Sequence, residues 1–542
     1  MQGLMMQQPL LVSSLLTHAE RHHGEREIVS RRVEGDIHRY SFTELARRSR
    51  RIANALSSLG IDRGDRVATL AWNGYRHLEL YFAVSGSGAV LHTLNPRLHV
   101  DQLAYIIENA KDRAVFFDVT FLPVIEELAK RVTGSTVFVA MTTREHMPAT
   151  HQLPVSLLCY EDLIDSHSDG FRWPLLHEND ACSLCYTSGT TGLPKGVLYS
   201  HRSTVLHTLS AALPDALNCS ARDAILPVVP MFHVNAWGLP YIACMVGAKL
   251  VFPGPYLDGR SLYELVEAEQ VTLSAAVPTV WQGLLAHADE HHASFSSMRR
   301  TVVGGAPCPT AMTATFQDRY GVDVLHAWGM TELSPIGTVC SFKPHQLGLP
   351  VEQRNAIQAK QGRAVFGVDM KIVDASGNEL PWDGRSTGDL HVSGHWVARE
   401  YFGGENSLPL CNGWFPTGDV ATINPDGFMQ ITDRSKDVIK SGGEWISSID
   451  IENVAVQHPD VSGAVCIAAR HPKWDERPLR LVVKLPGSSI TSDELLTHFD
   501  GKVAKWWKPD AVVFIDSIPL GATGKVLKNT LREQFRNYYV GD

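Results

Sequence analysis

Short apolar runs alternate along this chain with longer stretches of helical periodicity, and no other feature restricts the fold as much. Val67 to Ala71, Ala89 to Leu94 and Ala114 to Phe117 have strand length, whereas Gln102 to Ala110 is helix-like. Such alternation implies parallel sheet with crossover helices, an α/β architecture.

Ser41-Phe-Thr-Glu44 has the spacing of a capping box, followed by Leu45, Ile52, Leu56 and Leu59 at helical intervals up to Gly60. An amphipathic helix is predicted there. Its basic run Arg47, Arg48, Arg50 and Arg51 lies off the apolar stripe and reads as a solvated face. From 381 to 432 closely spaced Gly, Asp and Pro separate runs such as Leu390 to Ser393 and Phe428 to Thr432, which suggests a smaller β-rich unit. Beyond Asp433 the mixed pattern returns over a length sufficient for a small separate domain.

At 542 residues the chain has room for roughly two to four structural units. A formal charge of -9 argues against a nucleic-acid protein, so any anion site has to be local. Met1 to Leu16 lacks a basic n-region and a small-residue cleavage site, and no apolar run is long enough to cross a bilayer. No export signal or integral membrane segment is read. Nine scattered cysteines fit reduced thiols in a cytoplasmic protein. Cys182 and Cys185 mimic a metal or redox pair, but on a strand they point to opposite faces and have no second pair, so they read as core. His23 and His292, each in a His-His pair without metal-ligand company, read as surface residues.

Tyr186-Thr-Ser-Gly-Thr-Thr-Gly-Leu-Pro-Lys-Gly196 follows an apolar run and is dense in backbone donors and hydroxyls able to wrap a polyphosphate. It is not the Walker sequence, because Lys195 sits between Pro194 and Gly196. This segment resembles the phosphate loop of the adenylate-forming superfamily, which includes acyl-CoA synthetases, luciferases and peptide-synthetase adenylation domains. Further motifs resemble that family in its order. They are Pro230-Met-Phe-His233-Val-Asn-Ala-Trp237, Gly304-Gly-Ala-Pro307, His326-Ala-Trp-Gly-Met-Thr-Glu332, Trp414-Phe-Pro-Thr-Gly-Asp419, Asp433 to Glu444, and Gly521-Ala-Thr-Gly-Lys525.

The resemblance implies a large N-terminal domain of α/β sheets plus a β-rich subdomain, residues 1–435, and a small mobile α+β C-terminal domain, residues 436–542. It implies ATP, Mg2+ and coenzyme A as co-substrates of a small carboxylic acid, and is compatible with a homodimer. Nucleotide contacts would come from Thr187, Ser188, Gly189, Thr190, Thr191, Gly192 and Lys195, and from Gly304, Gly305, Ala306 and Pro307. They would also come from His326, Ala327, Trp328, Gly329, Met330, Thr331, Asp419 and Arg434. Lys436, Lys440, Gly442, Gly443, Glu444 and Trp445 would follow at the hinge. Thr187 and Glu332 would hold magnesium through hard oxygen ligands. His233, Trp237, Gly304 and Met330 would face the acid, with His233 and Lys525 catalytic. Trp328 stands where relatives more often have Tyr, keeping the stacking face and losing a hydroxyl. Lys525 would bridge the carboxylate and the α-phosphate, and rotation about Lys436 would separate adenylation from thiol transfer.

Trp237 and the Ser441 to Ser448 segment resemble the medium-chain and long-chain fatty acyl-CoA synthetases and the 3-methylmercaptopropionyl-CoA ligases. A fatty acid is the expected substrate, with a short acid such as 3-methylmercaptopropionate as the alternative. A second alternative is a free-standing adenylation enzyme that loads a carrier protein, although the short stretch after Lys525 leaves no room for a carrier domain. An acyl-nucleotide sensor without turnover is disfavoured, because Lys525, Glu332 and Asp419 are all present.

Overall fold

The computed structural model describes the chain except residues 2, 133–135, 188–192, 405–409, 435–436, 442–443, 521–525 and 541–542, and gives only the backbone at 444–445. Two large sheets dominate the first three quarters of the chain. One has seven strands in the order Leu157–Cys159, Val137–Ala140, Asp112–Phe117, Arg66–Leu70, Val90–Thr93, Ala181–Thr187 and Lys195–Ser200. Every pair in it is parallel until the last, where Ala181–Thr187 turns back antiparallel to Lys195–Ser200 and sets Thr187 opposite Lys195. The other sheet has nine strands around a parallel centre that includes Ala224–Pro227, Leu273–Ala276, Arg300–Val303 and Asp323–Gly329.

The helix Tyr75–Ser87 is buried on all sides from Tyr75 to Gly86, as a helix enclosed within a core must be. Its charged residues are accommodated by pairing. Arg48, from the helix Phe42–Ser58, meets Glu79 at 2.7 Å and Glu161 at 2.9 Å, while Arg76 meets Glu161 at 2.8 Å. The basic run is therefore not a solvated face at Arg48: carboxylates from two other helices desolvate it and pair with it. Arg50 is also engaged, by Glu20 at 2.7 Å. The capping box at Ser41 forms by half, since Ser41 Oγ accepts from the Glu44 amide but the Glu44 carboxylate turns to Arg47. His23 is half-buried against Gly247, where an added Cβ would collide with the imidazole.

An antiparallel four-stranded sheet, Val368–Val373, Gly388–Gly394, Phe415–Ile423 and Met429–Arg434, forms the β-rich unit. After it come a separate sheet built on the long hairpin Val461–His471 and Asp475–Lys484, and the flanking helices Ser448–Val456, Ser492–His498 and Lys528–Phe535. These carry their own core around Ile446, Ile451, Cys466 and Val482. Among the described residues, no helix is long and apolar enough to cross a membrane.

Candidate active site

The parallel strands of the nine-stranded sheet end at a cavity of about 500 Å³, in the position where open α/β sheets bind ligands. Several segments converge on it, among them the one after Ala224–Pro227 that carries His233 and Trp237. The antiparallel hairpin of the seven-stranded sheet delivers Thr187 and Lys195. The loop after Arg300–Val303 delivers Gly304 and Gly305, the strand Asp323–Gly329 and its continuation deliver Ala327 to Glu332, and the four-stranded sheet delivers Thr417, Gly418 and Arg434.

Hydrogen bonds fix the polar groups at the mouth. Glu332, 6 % exposed, accepts from the Tyr401 hydroxyl at 2.7 Å, and the Lys195 ammonium lies 4.9 Å above the Tyr401 ring. Burial with a neighbouring carboxylate pushes the Tyr401 phenol upward, so it remains a donor. The Thr331 carbonyl accepts from Tyr199 at 2.7 Å. Trp328 donates from Nε1 to Asp419 at 2.9 Å, and Arg434 approaches the other carboxylate oxygen at 3.4 Å. Asp419 and Arg434 are direct partners across neighbouring strands. The Trp328 ring rests on Gly337, where an added Cβ would come within 2.5 Å of it.

Trp237 lines the same cavity as these polar groups and as apolar side chains such as Leu239 and Val302. Its ring packs on Gly304, where an added Cβ would lie 3.0 Å from Cη2 and 2.9 Å from the Ala327 carbonyl oxygen, so a larger residue would force a shift. The backbone that carries it is unusual: Val234, Asn235, Ala236 and Trp237 all have φ between 47 and 56°, a left-handed turn that L residues adopt at a cost. Asn235 secures the turn by donating from Nδ2 to Ser183 Oγ at 3.1 Å. His207 packs at its end against Gly238 and accepts from the Ile336 amide at 3.3 Å. Burial lowers the His207 pKa to about 3, leaving the ring neutral.

The family described as AMP-binding enzyme matches residues 15–402, and the family described as AMP-binding enzyme C-terminal domain matches residues 450–525. The chain belongs to the AMP-binding enzyme family. It is 53% identical to a 3-methylmercaptopropionyl-CoA ligase of Ruegeria lacuscaerulensis over 100% of both chains. It is 52% identical to a medium-chain-fatty-acid–CoA ligase of Ectopseudomonas oleovorans over 99% of this chain and 98% of the relative. Among solved structures, ATP-bound MatB from Rhodopseudomonas palustris superimposes with a TM-score of 0.81 at 25% identity, over 98% of this chain and 100% of that one. The chain is thus an AMP-forming acid–thiol ligase that uses ATP, Mg2+ and coenzyme A with a small-molecule acid.

The donors at the mouth suit those co-substrates. Thr187 and Glu332 supply hard oxygen atoms to the same cavity into which Lys195 and Arg434 bring positive charge. In this AMP-binding enzyme Thr187, Lys195, Gly304, Gly305, Ala327, Trp328, Gly329, Met330, Thr331, Glu332 and Arg434 line the cavity with His233 and Trp237. Ala306 and Pro307, which follow Gly305, are exposed and are not among the described lining residues. His326 lies beneath, buried, its Nε2 accepting from the Cys308 amide at 3.4 Å and its pKa lowered to about 4 by burial. Lys440 is exposed on the strand Ile439–Ser441 and is not among the described residues that line the cavity, and Glu444 and Trp445 lie on the partner strand Glu444–Ile446. Ser188, Gly189, Thr190, Thr191, Gly192, Lys436, Gly442, Gly443 and Lys525 lie outside the described residues. Tyr401, Tyr199, Asn235 and His207 escaped the sequence reading because their roles are long-range contacts with no local signature.

Proposed function

We infer that this acid–thiol ligase activates a fatty acid: the carboxylate attacks the α-phosphorus of ATP, pyrophosphate leaves, and the thiol of coenzyme A then displaces AMP from the acyl-adenylate. One observation carries the choice of acid. Beside its polar groups the cavity is lined by Leu217, Leu239, Ala275, Val302 and Ile336, an apolar arm whose side chains offer a ligand contact without a hydrogen bond.

In this reading Thr187 and Glu332 bind magnesium, Trp328 stacks on the adenine, Asp419 and Arg434 hold the ribose, and His233 faces the carboxylate and phosphate. Lys195 and Lys525 offset charge that develops on the phosphoryl oxygens, since such transfer is catalysed by positioned cations and donors. Lys525 belongs to adenylation, and Lys436 is the pivot between domains 1–435 and 436–542. Support for the pivot comes from the separate core of the C-terminal unit and from a cavity wall that uses no described residue beyond Arg434. Buried free thiols such as Cys182 and Cys244 suit a reducing compartment, and a cytoplasmic location is part of this reading.

A short sulfur-containing acid is the second reading, favoured by the relative that is 53% identical. Pyrophosphate release should be measured with straight-chain acids and with 3-methylmercaptopropionate, each with and without coenzyme A. Fatty acid activation expects the greatest kcat/KM for an alkanoate and thioester only with coenzyme A; a preference for the short thioether overturns it.

A further inference from the structure

The direction of the apolar arm can be read from the strand Arg300–Val303. Side chains alternate along a strand, so Val302 and Gly304 share a face; both line the cavity, with Gly304 against the Trp237 ring. Arg300 stands at the opposite end of the strand, and its Nε donates to the Leu217 carbonyl at 3.2 Å. Leu217 is 2 % exposed and also lines the cavity. The arm therefore descends along the strand from Gly304 and meets Leu217 near the level of Arg300.

Behind Leu217 the wall is held firmly. Arg300 Nη2 donates to the Asn218 carbonyl at 2.9 Å and to Asp223 Oδ1 at 2.8 Å. On the far side Asn218, Arg222, Arg299 and Arg300 line a separate polar cleft of about 350 Å³. The segment at Leu217 and Asn218 is thus a thin partition between an apolar arm and a charged cleft. A hydrocarbon end that passed it would disturb the partly buried Arg300–Asp223 ion pair and enter polar surroundings. From Gly304 to the level of Arg300 the strand rises about 13 Å at about 3.3 Å per residue. An extended alkyl chain advances about 1.3 Å per carbon–carbon bond, so the distance corresponds to about ten bonds, or about ten to eleven carbons.

We propose that Leu217, clamped from behind by Arg300, is the floor of the acyl site and limits a straight saturated acid to about ten carbons. Leu217 determines specificity by occupying the end of the arm, and Arg300 positions it. The proposal rests on the reading of this arm as the acyl site.

The test is kcat/KM for acid-dependent pyrophosphate release by the full chain with butanoate, hexanoate, octanoate, decanoate, dodecanoate and hexadecanoate. The unaltered enzyme should drop by about tenfold or more between decanoate and dodecanoate. Leu217→Ala should move that break to a longer acid and Leu217→Phe to a shorter one. Ratios between acids are independent of how much enzyme is folded, and the break in the unaltered enzyme tests the limit without any variant. Robust activity with no break, or a break at the same acid in all three proteins, overturns the floor. Failure of every straight-chain acid while 3-methylmercaptopropionate is used overturns the acyl-arm reading as well, and is recognisable as that distinct failure.

Discussion

Trp328 donates its indole N–H to Oδ2 of Asp419 at 2.9 Å, while Arg434 approaches the same carboxylate from the other side at 3.4 Å. The aromatic residue at this position therefore orients the acid assigned to the ribose as well as presenting a flat face. Trp328→Phe keeps much of that face and removes the donor. A hydrogen bond to a charged acceptor contributes about 1.5–3 kcal/mol, so KM for ATP should rise by about tenfold or more. Steady-state kinetics with varied ATP decides it; an unchanged KM would detach Trp328 from Asp419 in function.

Trp237 lines the cavity together with its polar groups and its apolar side chains, its ring pressed on Gly304. Trp237→Ala should change which acids are used, most visibly in the relative kcat/KM of branched and straight-chain acids. An identical profile under saturating ATP would show that the ring does not bound the acyl site.

Lys525 and Lys436 should separate the two half-reactions. Lys525→Ala should lose about a hundredfold to a thousandfold in acid-dependent pyrophosphate release, the worth of a well-placed cation of about 3 kcal/mol or more, while converting supplied acyl-adenylate to thioester. Lys436→Pro fixes φ at the proposed pivot and should show the reverse pattern. Equal loss of both steps in either variant would contradict its assignment.

Stability should fall on acidification below about pH 6.5. Burial holds His207 at about 3 and His326 at about 4, both under the ordinary 6.5 of an unfolded chain. Between those values the unfolded state binds more protons than the folded one, so unfolding free energy decreases as pH falls, by up to about 1.4 kcal/mol per pH unit for each ring. Urea unfolding of the parent and of His326→Gln between pH 7 and 5 should give a shallower pH dependence in the variant; parallel curves would mean that His326 does not carry this term.

Arg48→Ala should destabilise by about 3–5 kcal/mol, because Glu79 is fully buried and would be left without its cation. Chemical denaturation measures it. A loss under about 1 kcal/mol, the value for an exposed pair, would restore the solvated-face reading of this basic run.

That basic run marks where sequence patterning stops. Helical spacing located the apolar stripe of Phe42–Ser58, but the carboxylates that bury Arg48 lie on other helices, at Glu79 and Glu161. Ser41 behaves likewise: its cap to the Glu44 amide is local and forms, whereas the Glu44 carboxylate has Arg47 as a competing partner and takes it.

By itself the sequence determined the alternation of strand and helix, the phosphate-loop composition and the order of the motifs, since each depends on side-chain chemistry within a few neighbouring residues. Tertiary structure alone decided what those motifs share: that Trp328 reaches Asp419, that Tyr401 joins Lys195 to Glu332, and that Arg300 backs Leu217. Each pair is far apart in the chain and adjacent only because separate sheets and the loops between them pack together, an arrangement of whole layers that no local pattern encodes.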